Sequence, residues 1–142
     1  MKYYIATDHA GLEFKAFIAT LLKERGYEVV DLGPDSTDRV DYPDYAKKLC
    51  NEVLKDSESK GILICGTGIG MSLAANKVKG IRAALCHDAY TASMARAHND
   101  ANVLVMGARV LGYGTAESVL DAWLKSEFEG GRHAQRIAKL ES

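Results

Sequence analysis

Short apolar runs alternate along the chain with longer stretches in which apolar residues recur at helical spacing. Each short run ends in a polar or glycine-rich turn, a pattern typical of consecutive strand–helix–strand units. The pattern predicts five strands: Tyr3–Thr7, Glu28–Asp31, Gly61–Cys65, Arg82–Leu85 and Val103–Gly107. Their apolar density favours a parallel sheet that is covered by helices on both faces.

The longer stretches predict the covering helices. The first, Leu12–Arg25, carries one apolar stripe and stops before Gly26, a favourable residue just beyond a helix. The second begins near Pro43, whose missing N–H costs nothing in a first turn. Further helices are predicted at Ile69–Val78, Asp88–His98 and Gly114–Ser126, and a short one outside the sheet-covering pattern at Arg132–Leu140. The sequence therefore predicts an α/β fold, a three-layer α/β/α Rossmann-like single domain over residues 1–142 with a five-stranded parallel sheet and a C-terminal helix.

Composition narrows the classes of function. The formal net charge is -1, from 18 Lys and Arg against 19 Asp and Glu, so no global field would draw the protein to nucleic acid or an anionic membrane. Polar residues interrupt the N-terminal region and no apolar run could span a bilayer, so we expect a cytoplasmic protein. Three cysteines without C-x-x-C spacing predict reduced thiols. The histidines show no metal-site spacing, and no cluster of carboxylates and histidines is evident, so we predict no metal.

The residues directly after the strands are where chemistry is expected, because open parallel sheets bind ligands at the carboxyl ends of their strands. The third strand ends at Cys65 and runs into a glycine-rich turn, 66–70, which a helix follows. In this context backbone N–H groups converge and the helix dipole favours negative charge. The turn lacks the dinucleotide-binding fingerprint and the P-loop lysine, so it could instead be a tight turn that needs glycine for its backbone conformation and binds no anion. Cys65 could be a thiolate that abstracts a proton, or a buried core thiol.

Polar residues at other element ends are further candidates. Asp8 and His9 follow the first strand, and His98-Asn99-Asp100 closes the fourth helix. One side chain of the first pair could face substrate hydroxyls and the other a phosphate. Either group could instead cap a helix or interact with its dipole.

Two arginines in the last predicted helix could bind an anion. Arg132 and Arg136 are four residues apart and share one helical face, so they could clamp a phosphate. With His9 and Arg109, which follows the fifth strand, they would form a compact anion site. Arginines at that spacing are, however, usually just solvated.

Ordered motifs extend over nearly the whole chain. They are Asp8-His9-Ala10-Gly11, Asp41-Tyr42-Pro43, Gly61-Ile62-Leu63-Ile64-Cys65-Gly66-Thr67-Gly68, Ala74-Ala75-Asn76-Lys77, Gly80-Ile81-Arg82-Ala83, His98-Asn99-Asp100 and Glu129-Gly130-Gly131-Arg132-His133. In these motifs the chain resembles the family of ribose-5-phosphate isomerase B and the galactose-6-phosphate isomerase subunits. The resemblance implies interconversion of ribose 5-phosphate and ribulose 5-phosphate in the pentose phosphate pathway, through an enediolate and with no metal or organic cofactor.

The resemblance also implies residue roles. Cys65 would be the base that moves a proton between C2 and C1, and His98 would help to open the sugar ring. The remaining roles are stabilisation of the enediolate by the backbone amides of Gly66, Thr67, Gly68, Ile69 and Gly70, contact with the sugar by Asp8 and Asn99, and phosphate binding by His9, Arg109, Arg132 and Arg136. Some relatives use a carboxylate further along the loop, where this chain has Met71, which favours the thiol.

The position of His98 predicts a site shared between subunits. If the fourth helix starts at Asp88 and runs antiparallel to the strands, His98 lies about 15 Å back along its axis, near the opposite edge of the sheet. It cannot easily reach Cys65 of its own chain. We therefore predict that His98 and Asn99 complete the site of a neighbouring subunit in a homodimer, or in a dimer of dimers, which fits the habit of the family.

Three alternatives stay open at this point. The substrate could be a hexose 6-phosphate of the allose or galactose type, although a single-chain enzyme fits the ribose-type relatives better. A non-catalytic module could use the same glycines to bind a nucleotide. A metal-dependent isomerase that works by hydride shift would need clustered carboxylates and histidines.

Overall fold

Five parallel strands form a single sheet in the computed structural model, which describes residues 1–142. The strands are β1 (Lys2–Thr7), β2 (Glu28–Asp31), β3 (Lys60–Cys65), β4 (Ala83–Leu85) and β5 (Val103–Gly107). Their order across the sheet is β2-β1-β3-β5-β4, and every neighbouring pair is parallel. The predicted five-stranded parallel sheet and α/β class are confirmed.

Six helices connect and follow the strands. They are α1 (Leu12–Glu24), α2 (Tyr42–Lys55), α3 (Ile69–Asn76), α4 (Ala89–Ala97), α5 (Tyr113–Lys125) and α6 (Arg132–Glu141). Asp88 caps α4 as predicted, since its side chain accepts a hydrogen bond of 2.7 Å from the backbone N–H of Thr91. None of the six has the length and apolar character needed to cross a membrane.

Three strands start one residue away from the prediction: β1 at Lys2, β3 at Lys60 and β4 at Ala83. Arg82 lies outside β4, because its backbone N–H donates to the side-chain oxygen of Asn102 at 2.8 Å. The side-chain amide of Asn102 in turn donates to the carbonyl of Gly80 at 3.0 Å. A side chain from the neighbouring loop therefore replaces the ladder hydrogen bond that a strand residue would make.

Two apolar clusters lie on opposite faces of the sheet. The cluster on one face combines β-strand residues with α1, α4 and α5, and the cluster on the other face combines them with α2 and α3. Along β3, Ile62 and Ile64 enter the first cluster whereas Leu63 and Cys65 enter the second. Each fully buried Leu or Ile side chain contributes about 1.5–3 kcal/mol, so this alternation fixes the register of the strand. It also directs the Cys65 side chain toward α2 and α3.

Candidate active site

Cys65 ends the central strand β3 and is the best-placed thiol of the chain. The register pairs it with Gly107 of β5, and the residue is 5% exposed. Its Sγ accepts a hydrogen bond of 3.2 Å from the backbone N–H of Gly68. The residue is thus part of the α2–α3 cluster and also faces the amides of the following turn.

The other two thiols have different surroundings. Cys50 lies within α2 and is fully buried, and burial raises its pKa to about 12. Cys86 follows β4, is 1% exposed, and has its pKa raised to about 11, chiefly by burial. Both thiols are therefore protonated near neutral pH.

The turn after β3 needs glycine at its critical position. Gly68 has φ +81° and directly precedes α3. A Cβ there would lie 2.5 Å from the Leu85 side chain and 3.2 Å from the Met106 carbonyl oxygen. The turn also packs against β5, because a Cβ at Gly107 would lie 2.5 Å from the carbonyl oxygen of Thr67. The N–H of Gly68 is therefore held beside the sulfur by backbone packing on two strands.

We expect Gly68→Ala to reduce both stability and activity. A left-handed φ costs a non-glycine residue about 1–2 kcal/mol, and the contacts with Leu85 and Met106 add to that cost. Relief of the clash would move the N–H away from Cys65. Urea unfolding and turnover of ribose 5-phosphate measure the two effects. Gly114→Ala is the control, because a Cβ at Gly114 meets no atom within 4 Å. Equal stability of the two variants would contradict the constraint described for Gly68.

Three charged or polar residues lie at the same edge of the sheet. Asp8 follows β1, is 8% exposed, and donates its backbone N–H to the carbonyl of Ile64 at 3.2 Å. The Nδ1 of His9 accepts a hydrogen bond of 3.3 Å from the backbone N–H of Val40. The guanidinium of Arg109 lies over Gly66, with Nη1 3.4 Å from where a Cβ of that glycine would be. The carboxyl edge thus gathers Cys65, the turn 66–70, Asp8, His9 and Arg109, as predicted.

His98 and Asn99 lie at the opposite edge. His98 ends α4, and the loop after it reaches Asn102, whose carbonyl accepts a hydrogen bond of 3.0 Å from the N–H of Gly61 near the start of β3. At a rise of about 3.3 Å per residue, β3 separates this loop from Cys65 by about 16 Å. Within one chain, His98 and Asn99 therefore do not meet Cys65.

The arginines of α6 also lie at this amino edge. The backbone N–H of Glu129, just before α6, donates to the carbonyl of Ala97 at the end of α4, at 2.9 Å. The far end of α6 is tied by Glu141, which pairs with Arg82 at 2.6 Å. The compact site expected from Arg132, Arg136, His9 and Arg109 is therefore not formed within one chain. The reason is that the start of α6 is held at the end of α4, where His133 stacks on His98.

A cluster of two histidines and a carboxylate forms at the amino edge, although the sequence showed no such cluster. The rings of His98 and His133 stack with centroids 4.2 Å apart and planes at 14°. Glu129 Oε1 lies 3.7 Å from His98 Nε2 and 3.5 Å from His133 Nε2. These ligand atoms all lie within 4.8 Å of one another. An imidazole binds metal in its ring plane, and two nearly parallel stacked planes do not meet near one ion, so the rings as placed are not oriented to chelate.

The loop beside His9 is anchored by a lysine that the sequence analysis missed. Lys15 lies in α1 and is 4% exposed. Its Nζ is 2.8 Å from Asp31 Oδ1 and donates to the carbonyl of Pro34 at 2.8 Å. The same loop continues to Val40, which contacts His9. A lysine in an amphipathic helix is normally expected to be exposed to solvent. The only sign of burial in the sequence is that Lys15 falls within the apolar stripe of its helix.

Tyr42 is a second residue that the site analysis missed. It begins α2, is 39% exposed, and its ring would lie 2.7 Å from a Cβ at Gly70. The aromatic ring therefore flanks the turn that carries the candidate amide donors. Its signal in the sequence is the Asp41-Tyr42-Pro43 motif.

Comparison with known proteins gives consistent matches over the whole chain. A family model described as Ribose/Galactose Isomerase matches residues 3–140. Ribose-5-phosphate isomerase B of Escherichia coli is 48% identical over 139 residues, covering 98% of this chain and 93% of that protein. The structure of Clostridium thermocellum ribose-5-phosphate isomerase B matches with a TM-score of 0.95 and 53% identity, over 99% of this chain and 95% of that one. The Mycoplasma genitalium ribose-5-phosphate isomerase B structure with bound ribulose-5-phosphate matches with a TM-score of 0.94 and 46% identity, over 99% and 94% of the two chains.

Proposed function

Because this chain belongs to the ribose/galactose isomerase family, we propose that it interconverts D-ribose 5-phosphate and D-ribulose 5-phosphate, a step of the pentose phosphate pathway. The relatives named above carry this activity in their names, and one of them binds ribulose-5-phosphate. The observation that carries the mechanism is the 3.2 Å hydrogen bond from the Gly68 N–H to Cys65 Sγ. It is the contact expected of a thiolate base beside an amide-lined turn.

The base moves one proton between neighbouring carbons. The C1 aldehyde of the open sugar acidifies the C2–H, and the Cys65 thiolate takes that proton to leave an enediolate. The thiol then returns the proton to C1 while the oxygen protons redistribute, which gives the ketose. Amides of the turn 66–70, together with the dipole at the start of α3, stabilise the developing negative charge. This chemistry requires neither a metal nor an organic cofactor.

The phosphate is bound by cations at the same edge. Support comes from Arg109, whose guanidinium lies over Gly66, and from His9, whose Nδ1 is fixed by Val40 and whose Nε2 is left to face the ligand. The backbone N–H of Arg109 donates to the carbonyl of Gly66 at 2.9 Å, which ties the residue to the turn and leaves its exposed guanidinium suited to a phosphate.

The site is completed by a second copy of the chain. His98, Asn99, Arg132 and Arg136 act at the carboxyl edge of the partner, since β3 separates them from Cys65 of their own chain. A two-fold contact that joins the amino edge of one copy to the carboxyl edge of the other creates two equivalent sites. The exposed apolar face of α3 supports such a contact, with Ile69 55% and Leu73 62% exposed beside the catalytic turn.

Incubation with sugar phosphates tests the proposed function. We expect NMR to detect ketose formed from ribose 5-phosphate, in chelator as in buffer, and at a lower rate from allose 6-phosphate or galactose 6-phosphate. Faster conversion of a hexose 6-phosphate would show that the preferred substrate is a hexose phosphate and not a pentose phosphate. Tight ATP binding without any conversion would replace the proposal by the nucleotide-binding module.

Arg109→Ala is expected to weaken substrate binding selectively. Loss of a charged hydrogen bond costs about 1.5–3 kcal/mol, which corresponds to a KM that rises about 10- to 100-fold, while kcat changes less. Steady-state kinetics on ribose 5-phosphate measure both. Lys23→Ala, which removes an exposed cation from α1, should leave both constants unchanged. An unchanged KM in Arg109→Ala would remove this residue from the phosphate site.

A further inference from the structure

Glu129 lies beside the Nε2 edges of the stacked rings of His98 and His133, and none of the roles described above belongs to it. Its Oε1 is the carboxylate atom nearest to both Nε2 atoms, at 3.7 and 3.5 Å. Both distances are longer than a hydrogen bond. A small rotation of the half-exposed carboxylate would shorten either of them to hydrogen-bond length. One carboxylate can therefore accept a hydrogen bond from either of two imidazoles. One of these, His98, is the candidate group for opening the sugar ring.

The backbone fixes Glu129 in this position independently of its side chain. Its N–H donates to Ala97, the residue directly before His98, at 2.9 Å. Gly130 and Gly131 then have φ values of +68° and +56°, two left-handed positions that reverse the chain and start α6. The reversal brings His133 back against His98. The Glu129 carboxylate and the His133 ring thus belong to one segment that is docked on the end of α4, where His98 lies.

The two rings have different environments. His133 is 5% exposed, and its Nε2 is buried without a hydrogen-bond partner. Burial, followed by the nearby charges of His98 and Arg132, lowers the pKa of His133, and Arg136 adds to this while Glu129 opposes it. His133 is therefore neutral near pH 7. The His98 side chain is 36% exposed, so the ring is partly accessible.

We propose that Glu129 is a positioning residue that holds the neutral His98 ring with its proton on Nε2, so that Nδ1 is left as the acceptor for the anomeric hydroxyl of the sugar. A carboxylate beside one ring nitrogen selects the tautomer in which that nitrogen carries the proton. His133 supplies the apolar, uncharged surface on which the ring rests. The role in catalysis rests on the proposed function, whereas the tautomer itself does not.

Nitrogen-15 NMR of labelled histidines tests the tautomer without substrate. Spectra are recorded above the pH range in which the imidazoles titrate, and His98 is assigned by its loss in His98→Gln. We expect His98 to carry its proton on Nε2 in the unmodified protein. In Glu129→Gln we expect a mixture of tautomers, because an amide can donate as well as accept. Glu127→Gln is the matched control, since it removes an exposed carboxylate two residues away. A proton on Nδ1 in the unmodified protein, or the same tautomer in Glu129→Gln, would overturn the proposal.

Kinetics test whether the tautomer matters for catalysis. Glu129→Gln should lower kcat on ribose 5-phosphate roughly tenfold with little change in KM, and Glu127→Gln should change neither. His133→Phe keeps the stacked surface and should retain most of the activity, whereas His133→Ala should not. A shifted tautomer with unchanged kcat would overturn the catalytic role. Absence of turnover in the unmodified protein would instead refute the proposed function, with the tautomer still decided by NMR.

Discussion

Cys65→Ala should abolish ketose formation from ribose 5-phosphate, with a fall in kcat of about 10²- to 10⁴-fold. The reason is that the Cys65 sulfur accepts a hydrogen bond from the Gly68 N–H at 3.2 Å, whereas the other side chain that accepts from this turn, Thr67 at 3.1 Å from the Ile69 N–H, is a hydroxyl too weakly acidic to supply the base. KM should change little, because the phosphate contacts remain. The measurement is steady-state kinetics combined with urea unfolding, which verifies that the fold is kept.

Three matched variants sharpen this result. Cys65→Ser keeps the shape and a hydrogen-bonding atom but has a hydroxyl that is far too weak an acid to supply a base, so it should be as inactive as Cys65→Ala. Cys50→Ala and Cys86→Ala should stay active, because burial keeps both thiols protonated. Near-normal turnover by Cys65→Ser would remove the thiolate from the mechanism. Loss of activity in Cys86→Ala with its fold intact would show that Cys86, and not Cys65 alone, is needed for the reaction.

Mixing Cys65→Ala chains with His98→Ala chains should restore activity that neither has alone. In a mixed dimer one site receives both lesions and the other receives none. Random reassembly gives mixed dimers in half of the population, so recovery should approach about one quarter of the unmodified activity. The measurement is turnover after co-refolding, with chain exchange followed by native mass spectrometry.

The control mixture combines Cys65→Ala with Cys65→Ser. Both lesions lie at the carboxyl edge, so every site of every dimer keeps one of them and no activity should return. Complete exchange without recovery in the first mixture would contradict a shared site. In that case His98 would have to act on its own chain across the length of β3, or not at all.

Much of the carboxyl edge could be predicted because its residues are next to strand ends in the sequence. The apolar run Gly61–Cys65 defines where β3 stops, and the turn must therefore begin at Gly66. The same holds for Asp8 and His9 after β1. Parallel strands bring their carboxyl ends to one edge whatever their order in the sheet, so these residues were expected to meet before the order was known.

The amino edge was predicted only in part. The distance of His98 from Cys65 follows from the number of residues in α4 and the rise of a helix per residue. This estimate needs no knowledge of how the helices pack. The position of α6 could not be predicted in this way. Its only buried residue is His133, so its apolar pattern does not indicate which part of the protein it packs on. The sequence therefore did not show that Arg132 and Arg136 lie away from His9 and Arg109 within one chain.

The sequence by itself determined the strands, the helices and the edge at which the thiol meets the amide-lined turn, because each of these follows from spacing within one or two neighbouring elements. Only the tertiary structure decided that Glu129 lies beside both His98 and His133, that Lys15 is a buried charge anchoring a loop, and that Arg82 pairs with Glu141. These contacts join segments that are distant in the sequence. Their free energy comes from side chains that no local pattern brings together, so the period of an element cannot encode them.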